Sequence, residues 1–442
     1  MKKQIFCVLA LLAAIIIGCD PIKPDPNPQP QDDTIPQKDT TDTIIPIPKV
    51  DTIRVDTFTI DSVVDLDNDM VVCSYIEWYF KPTVQSLNGL QKYVTHICFA
   101  FAELYVVDSV YQKFDLSGGS SSWTLFKNVL KLKEKNPDLK IQLSFSHVVE
   151  NTSENSQGGG FSAMAKSQEQ MSHFAHDCKV FCDTWGLDGV DIDWELPGIS
   201  WSNHACDPLV DTENYTKLMK TLRDTLPFGD YLLTYAGYPK NKRKASGGKG
   251  WEFVDNAAVE PYVDWINVMT YDLGSATSNT PHSAMSAGNA DWDILRTYQT
   301  FNRIGFPMNK IVLGMPFYGR YSFDEEPFTY DYNKIEDNIK AGKWTRHYNK
   351  VWQTPYATDK SGKMMCSYDD EESIAYKANW VKEKGLRGFM WWSQGGDTSG
   401  KKLTKACWNG LKKETQHWRY YHYHLSDSTM VVSDTIRIDE VK

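Results

Sequence analysis

Eight short apolar runs, each separated from the next by a stretch of helical periodicity, constrain this chain more than any other feature. They cover residues 70–75, 94–101, 139–145, 187–194, 231–236, 263–270, 311–315 and 388–392. Strands of a parallel sheet read as continuous apolar runs because helices cover both of their faces. Between the third and fourth runs, Met171, Phe174, Cys178, Phe181, Cys182 and Trp185 fall on one helix face. Eight strand–helix repeats between residues 70 and 415 predict an α/β fold, a (β/α)8 barrel. The longest gap without a clear unit, about 321–373, lies between strands 7 and 8, and a small α+β insertion is expected there.

The ends of the chain read differently. Lys2 and Lys3 precede thirteen mostly apolar residues, Ile5 to Ile17, and then Gly18 and Cys19. The run is too short for a hydrocarbon core that needs about 20 residues, so residues 1–18 read as a signal peptide. Ile16-Ile17-Gly18-Cys19 resembles a bacterial lipoprotein signal, which implies lipidation of Cys19. The expectation is a membrane-anchored lipoprotein of a Gram-negative bacterium, at the outer membrane or cell surface. Residues 19–69 form a Pro-, Asp- and Thr-rich stalk: from 20 to 69 there are twelve Asp, no Glu, three Lys and one Arg, and eight prolines lie between Pro21 and Pro48. That segment carries most of the formal net charge of -10, so the body has no basic surface for nucleic acid. Residues 416–442 are set apart as a C-terminal tail. The Asp-Thr-Ile tripeptides of the stalk resemble O-glycosylation acceptors. Asp51-Thr-Ile-Arg-Val-Asp56 nearly matches Asp434-Thr-Ile-Arg-Ile-Asp439, a pairing pattern for a ribbon between the two ends.

Of nine cysteines, Cys7 leaves with the signal and Cys19 takes lipid, leaving seven. An exported protein admits one or two disulfides, but Cys73 and Cys98 sit in apolar runs and read as core thiols. Cys178 and Cys182 lack the companions of a zinc site. No metal and no cofactor is expected.

The chemistry concentrates in Asp188-Gly-Val-Asp191-Ile-Asp193-Trp-Glu195. On a strand, Asp191, Asp193 and Glu195 share one face, with successive side chains about 7 Å apart, while Val190, Ile192 and Trp194 share the other. The apolar face meets the helices, so three carboxylates point into the barrel. Ionised groups that close together are costly to bury, so at least one should hold a proton near neutral pH. Asp188 has the opposite parity to the carboxylate face.

This strand, followed by Leu-Pro-Gly, resembles the strand-four signature of family-18 glycoside hydrolases, the chitinase family. Met269-Thr-Tyr271-Asp272 is similar to that family's strand six, and Gly314-Met-Pro-Phe-Tyr318-Gly-Arg320 to its strand seven. Trp392 is similar to its strand-eight tryptophan, and Thr95-His-Ile with Phe99-Ala-Phe101 to its strand two. The resemblance implies hydrolysis of β-1,4 linkages between N-acetylglucosamine units by a retaining mechanism in which the substrate's acetamido oxygen is the nucleophile. Glu195 is then the general acid and base, Asp193 accepts the acetamido N–H, and Asp191 shares a proton with Asp193 in contact with Ser144. Tyr271 holds the acetamido oxygen and Asp272 contacts the same sugar. Trp392 is the implied floor of the cleavage subsite; Met269, Trp78, Phe101, Tyr318 and Arg320 complete the groove.

The match departs from the family at three places. Ser144-Phe-Ser-His147 replaces a Ser-x-Gly-Gly pattern, the strand-one tyrosine position falls on Ser74 with Tyr75 beside it, and Leu196 follows the catalytic glutamate. His147 is a candidate sugar ligand. Alternative readings are an endo-β-N-acetylglucosaminidase acting on N-glycan chitobiose cores and a non-catalytic surface glycan-binding protein; the presence of Glu195 disfavours the latter. The partners expected are an N-acetylglucosamine-containing glycan and a membrane, with the protein acting as a monomer.

Overall fold

The computed structural model describes residues 54–79, 87–146, 160–199, 205–287, 292–424 and 432–437. Cys19, the signal and stalk up to residue 53, and His147 therefore lie outside the described residues. The chain divides into two compact units, Met1–Asp56 with His422–Ser433 and Thr57–Tyr421 with Asp434–Lys442. The second holds the barrel.

Eight strands form it: β1 (Val71–Glu77), β2 (His96–Val107), β3 (Lys140–Ser146), β4 (Gly189–Asp193), β5 (Leu232–Gly237), β6 (Trp265–Val268), β7 (Ile311–Pro316) and β8 (Gly388–Trp392). Each pairs in parallel with the next, and β8 pairs with β1, which closes the sheet. Every apolar run of the sequence is thus one barrel strand. A further strand, Val110–Leu116, folds back antiparallel on β2. Its alternation of exposed and buried residues gives it no continuous apolar run.

Two apolar layers follow from strand parity. Outward residues such as Val190, Ile192, Phe389 and Trp391 pack against the helices. Inward residues Val71, Cys73, Tyr75, Cys98, Ala100, Trp265, Val312 and Met390 fill the barrel. The helix Gln168–Trp185 buries Met171, Phe174, Ala175, Cys178 and Cys182, is capped by Ser167, and ends at Gly186 with φ 66°. It delivers the chain into β4 through Gly189, where a Cβ would collide with the Leu232 carbonyl of β5. The seven cysteines of the described residues are free thiols.

The insertion is a five-stranded antiparallel sheet, ordered Thr329–Asp331, Tyr318–Arg320, Met364–Ser367, Thr354–Asp359 and Trp344–Asn349, with the helix Tyr332–Lys340. It begins at Tyr318, three residues earlier than expected, because β7 runs almost directly into its first strand. A fully buried ion pair fixes this region: Lys377 Nζ lies 2.6 Å from Asp369 Oδ1 and donates to the Ser283 carbonyl at 2.7 Å.

Residues Arg54–Asp65, placed in the stalk by sequence, form a strand, and so do Lys413–His424 and Val432–Arg437. All three belong to one sheet in which Lys413–His424 is central. Among the described residues the matching end segments therefore do not pair with each other directly, because a strand of the tail takes the place between them. No helix among the described residues is long and apolar enough to cross a membrane.

Candidate active site

The carboxyl ends of the strands open into a cleft of about 460 Å³. Active sites of this architecture sit on that face, built from the strand ends and the loops that follow them. Asp193, Glu195, Met269, Tyr271, Asp272, Tyr318, Arg320, Phe101 and Trp392 all line it. Ser144 and Asp191 lie beneath, both fully buried.

Asp191 is held by four hydrogen-bond donors. Oδ2 accepts from the Tyr75 hydroxyl at 2.8 Å and the Ser144 hydroxyl at 2.7 Å; Oδ1 accepts from the Thr234 hydroxyl at 2.6 Å and Asn267 Nδ2 at 3.1 Å. Asn267 Nδ2 also donates to the Tyr75 hydroxyl oxygen at 3.0 Å, so the network is closed on itself. Burial pushes the Asp191 carboxyl up and outweighs these hydrogen bonds, which oppose it. A carboxylate has about four acceptor sites, and here they are all used. Among the described residues these hydrogen bonds run to Tyr75, Ser144, Thr234 and Asn267 and none runs to Asp193, with which a shared proton was expected.

The proton-sharing contact runs the other way along the strand, between Asp193 and Glu195. Burial, then the charges of Glu195 and Asp191, drive the Asp193 carboxyl well up, and its hydrogen bond to Glu195 adds to this. Glu195, half-buried, is pushed up to about 7 by burial and by the charge of Asp272, against the opposing hydrogen bond from Asp193. Asp193 therefore carries the proton and donates it toward Glu195. Its Oδ1 is buried with no partner among the described residues. A buried acceptor without a donor costs free energy unless a ligand supplies one.

Asp272 sits at φ 57°, a left-handed conformation that Asp tolerates better than most residues. This turn aims its carboxyl at the first strand of the insertion, where Oδ1 accepts from the Tyr318 hydroxyl at 2.8 Å and Arg320 Nε at 3.0 Å, and Oδ2 lies 2.6 Å from Arg320 Nη2. Burial pushes Asp272 up, but His282 and Arg320 outweigh it and hold the group down at about 2. Asp272 is charged throughout the neutral range.

The floor is aromatic. Trp392 stacks on Phe101 at 5.4 Å between ring centroids and 17° between planes, and Tyr75 tilts against it at 6.0 Å. Trp391 faces outward, stacked on Phe317. The loop that carries Glu195 is pinned by Asp211, which accepts from Ser162 Oγ and from the backbone N–H groups of Gly198 and Asp207.

Two assignments made from sequence change. The inward residue of β1 is Tyr75; Ser74 faces outward and donates to Gln394 Oε1 at 2.9 Å. Strand parity places Cys73, Tyr75 and Glu77 together, which a one-residue shift in register conceals. Trp78 does not line the cleft; its ring packs edge-on against Tyr79, which does, and lies against Gly118. Beyond β1 the chain turns, so strand parity no longer says where a side chain points. Sequence reasoning also missed Thr234 and Asn267, which carry polar atoms at inward positions of β5 and β6 amid apolar runs, and Glu77, Ser146, Asp331 and Ser393 of the cleft wall. Asp188 sits at the opposite end of β4, 2.6 Å from Lys133 Nζ and 3.3 Å from Lys140 Nζ.

Comparison with known proteins agrees with this geometry. Chitinase A1 of Niallia circulans is 32% identical over an alignment of 324 positions that covers 64% of this chain and 44% of that protein. The chain thus spans less than half the length of that relative. A glycoside hydrolase family 18 N-acetylglucosaminidase from Paenibacillus barengoltzii superposes with a TM-score of 0.60 at 27% identity, covering 77% of this chain and all of the other. A class V chitinase from Nicotiana tobaccum, solved in complex with NAG4, has a TM-score of 0.64 at 21% identity and covers 77% of this chain and 99% of its own, a likeness of fold. The model of glycosyl hydrolases family 18 matches residues 70–397, most of the chain and all eight strands. With the acidic strand, the tyrosine–aspartate turn and the tryptophan floor all inside that match, the chain belongs to glycosyl hydrolase family 18.

Proposed function

We propose that this glycoside hydrolase cleaves β-1,4 linkages between N-acetylglucosamine units in chitin or chito-oligosaccharides, with retention of configuration and with the substrate's acetamido group as nucleophile. The observation that carries this reading is the Asp193–Glu195 pair, in which one carboxyl proton is shared and one buried acceptor, Asp193 Oδ1, has no donor among the described residues. An acetamido N–H supplies that donor. Glu195 receives the shared proton from Asp193 and gives it to the glycosidic oxygen as the bond to the anomeric carbon breaks, and the acetamido oxygen closes on that carbon from the opposite face. Asp193, left as a carboxylate once its proton has passed to Glu195, balances the positive charge that develops on the resulting oxazolinium ring. Tyr271 orients the acetamido oxygen. Water then opens the ring while Glu195 takes back a proton. The ring's C–H face rests on Trp392, as apolar sugar faces do on indole.

This assignment avoids the two-carboxylate scheme of most glycosidases. A thiazoline analogue of N-acetylglucosamine should inhibit, and a plain β-1,4-glucan should not be cut. Trapping of a fluorosugar as an ester on Asp191, Asp193 or Asp272 would refute the mechanism. We further propose that the enzyme acts as a monomer at a membrane, through lipid on Cys19. Palmitate labelling should disappear, and the protein become soluble, in Cys19→Ala; retention of that variant in membranes would refute the anchor.

A further inference from the structure

The cleft holds a second acidic element that the reaction above does not use. Glu77, the last residue of β1, is 4% exposed yet lines the cleft. One side of its carboxyl is engaged by the Ser393 side chain and its own backbone, whereas Oε2 is buried with no hydrogen-bond partner among the described residues. Asp331, paired with Tyr318 in the insertion, stands at the rim on the same side. β1 adjoins β8, so this element lies on the β8–β1 side of the mouth, away from the Asp193–Glu195 pair that ends β4.

Charge decides what such a place accepts. The described cleft residues include five carboxyl groups, Glu77, Asp193, Glu195, Asp272 and Asp331, and one cation, Arg320. Arg320 is already committed to Asp272 through two contacts. A sugar hydroxyl could donate to Glu77 Oε2 but would bring no charge to this carboxyl, which burial and the neighbouring Asp331 carboxyl push up to about 7; with Asp193 protonated and Asp272 paired with Arg320, Glu77 and Asp331 have no cation among the described cleft residues. An ammonium group offers three donors and a positive charge at once, and a charge-assisted hydrogen bond is about twice as strong as a neutral one.

We propose that Glu77, with Asp331 at the rim, forms a subsite for the ammonium group of a glucosamine ring, so that the favoured substrate is partially N-deacetylated chitin. The inference rests on the hydrolase reading above. It also follows from that reading that the amine belongs to a ring next to the reacting one, because the reacting ring must keep the acetamido group that attacks.

The test compares fully acetylated chito-oligosaccharides with oligomers of equal length carrying a single glucosamine unit. The wild type should show a higher kcat/KM on the oligomer whose glucosamine neighbours the cleaved N-acetylglucosamine, and end-group sequencing of products from partially deacetylated polymer should show glucosamine enriched at that neighbouring position. Glu77→Gln should lower the ratio of the two kcat/KM values by about tenfold, the scale of one charge-assisted hydrogen bond. Asp331→Asn, at an exposed position that does not endanger folding, should lower it by about two- to threefold. An unchanged ratio in both variants, or a wild type that cuts acetylated oligomers without any preference, would overturn the subsite and leave the hydrolase reading intact. Titration of both oligomers into Glu195→Gln separates the two ideas further. A tenfold loss of affinity for the amine-bearing oligomer on adding Glu77→Gln would uphold the subsite even if the wild type cut neither oligomer, an outcome that would instead sink the hydrolase reading.

Discussion

Removing the charge of Asp272 should move the alkaline limb of the pH profile toward acid. Glu195 is pushed up to about 7, so near pH 7 about half of the free enzyme carries the proton that the leaving group needs, and about a tenth does at pH 8. The wild-type kcat/KM should accordingly fall about tenfold per pH unit above 7. Asp272, held at about 2, remains charged across this range and repels the ionised form of Glu195. In Asp272→Asn that repulsion is gone, and the Arg320 guanidinium, 2.6 Å from Asp272 Oδ2 in the native protein, loses its counter-charge. Both changes favour ionised Glu195. The charge of Asp272 is the main electrostatic contribution to Glu195 after burial, and water in the open cleft screens part of it. A shift of about one pH unit is expected, which at pH 7 is about a fivefold loss from protonation alone. The assay is chromatographic release of products from a natural chito-oligosaccharide between about pH 4 and 10; an aryl glycoside departs with little help from an acid and would flatten the limb. Because Asp272 also lines the cleft, the midpoint of the limb is the readout and the absolute rate is not. A limb that stays in place or moves to higher pH in the variant would refute the electrostatic account, as would a wild-type rate that holds level to pH 9.

Tyr75→Phe removes one of the four donors to Asp191 and should lower kcat about tenfold with KM changed less than threefold, since Tyr75 positions the network below the sugar; steady-state kinetics that put the whole loss in KM would contradict this. Asp188→Asn gives up the contacts to Lys133 and Lys140 and should cost about 1 kcal/mol in urea unfolding while activity stays within about threefold. A loss of activity larger than that of Asp193→Asn would mean that the catalytic face of β4 is the other one. Lys377→Met strands the fully buried Asp369 and should destabilise the protein by about 3–5 kcal/mol, with part of that recovered in Lys377→Met/Asp369→Leu. Equal midpoints for wild type and single variant in denaturant titration would show that the pair is not desolvated.

The barrel was legible because each of its strands is buried on both faces and so must be apolar along its length. Val190, Ile192 and Trp194 could only have met helices, which left Asp191, Asp193 and Glu195 to the interior. Where an element is half-exposed that logic weakens: Val110–Leu116 alternates and was not seen, and the end segments 54–65 and 432–437 share a sheet only through a third strand. The motif residues of β6, β7 and β8 were found because they carry unusual side chains at strand ends. Thr234 and Asn267 were not, because one polar side chain inside an apolar run has no local signature of the charge it serves.

What the sequence by itself determined is therefore the set of one-dimensional periodicities: eight strands, their inward parity on β4, and a cluster of carboxylates too close together to be ionised at once. Which carboxyl holds the proton was decided only in three dimensions. Asp191 and Asp193 are equally spaced from their neighbours along β4, yet donors from β1, β3, β5 and β6 converge on Asp191 and none of them reaches Asp193. Those four strands are far apart in the chain and meet only when the barrel closes, and the pairing of Asp193 with Glu195 follows from that closure because the remaining proton has one acceptor within reach.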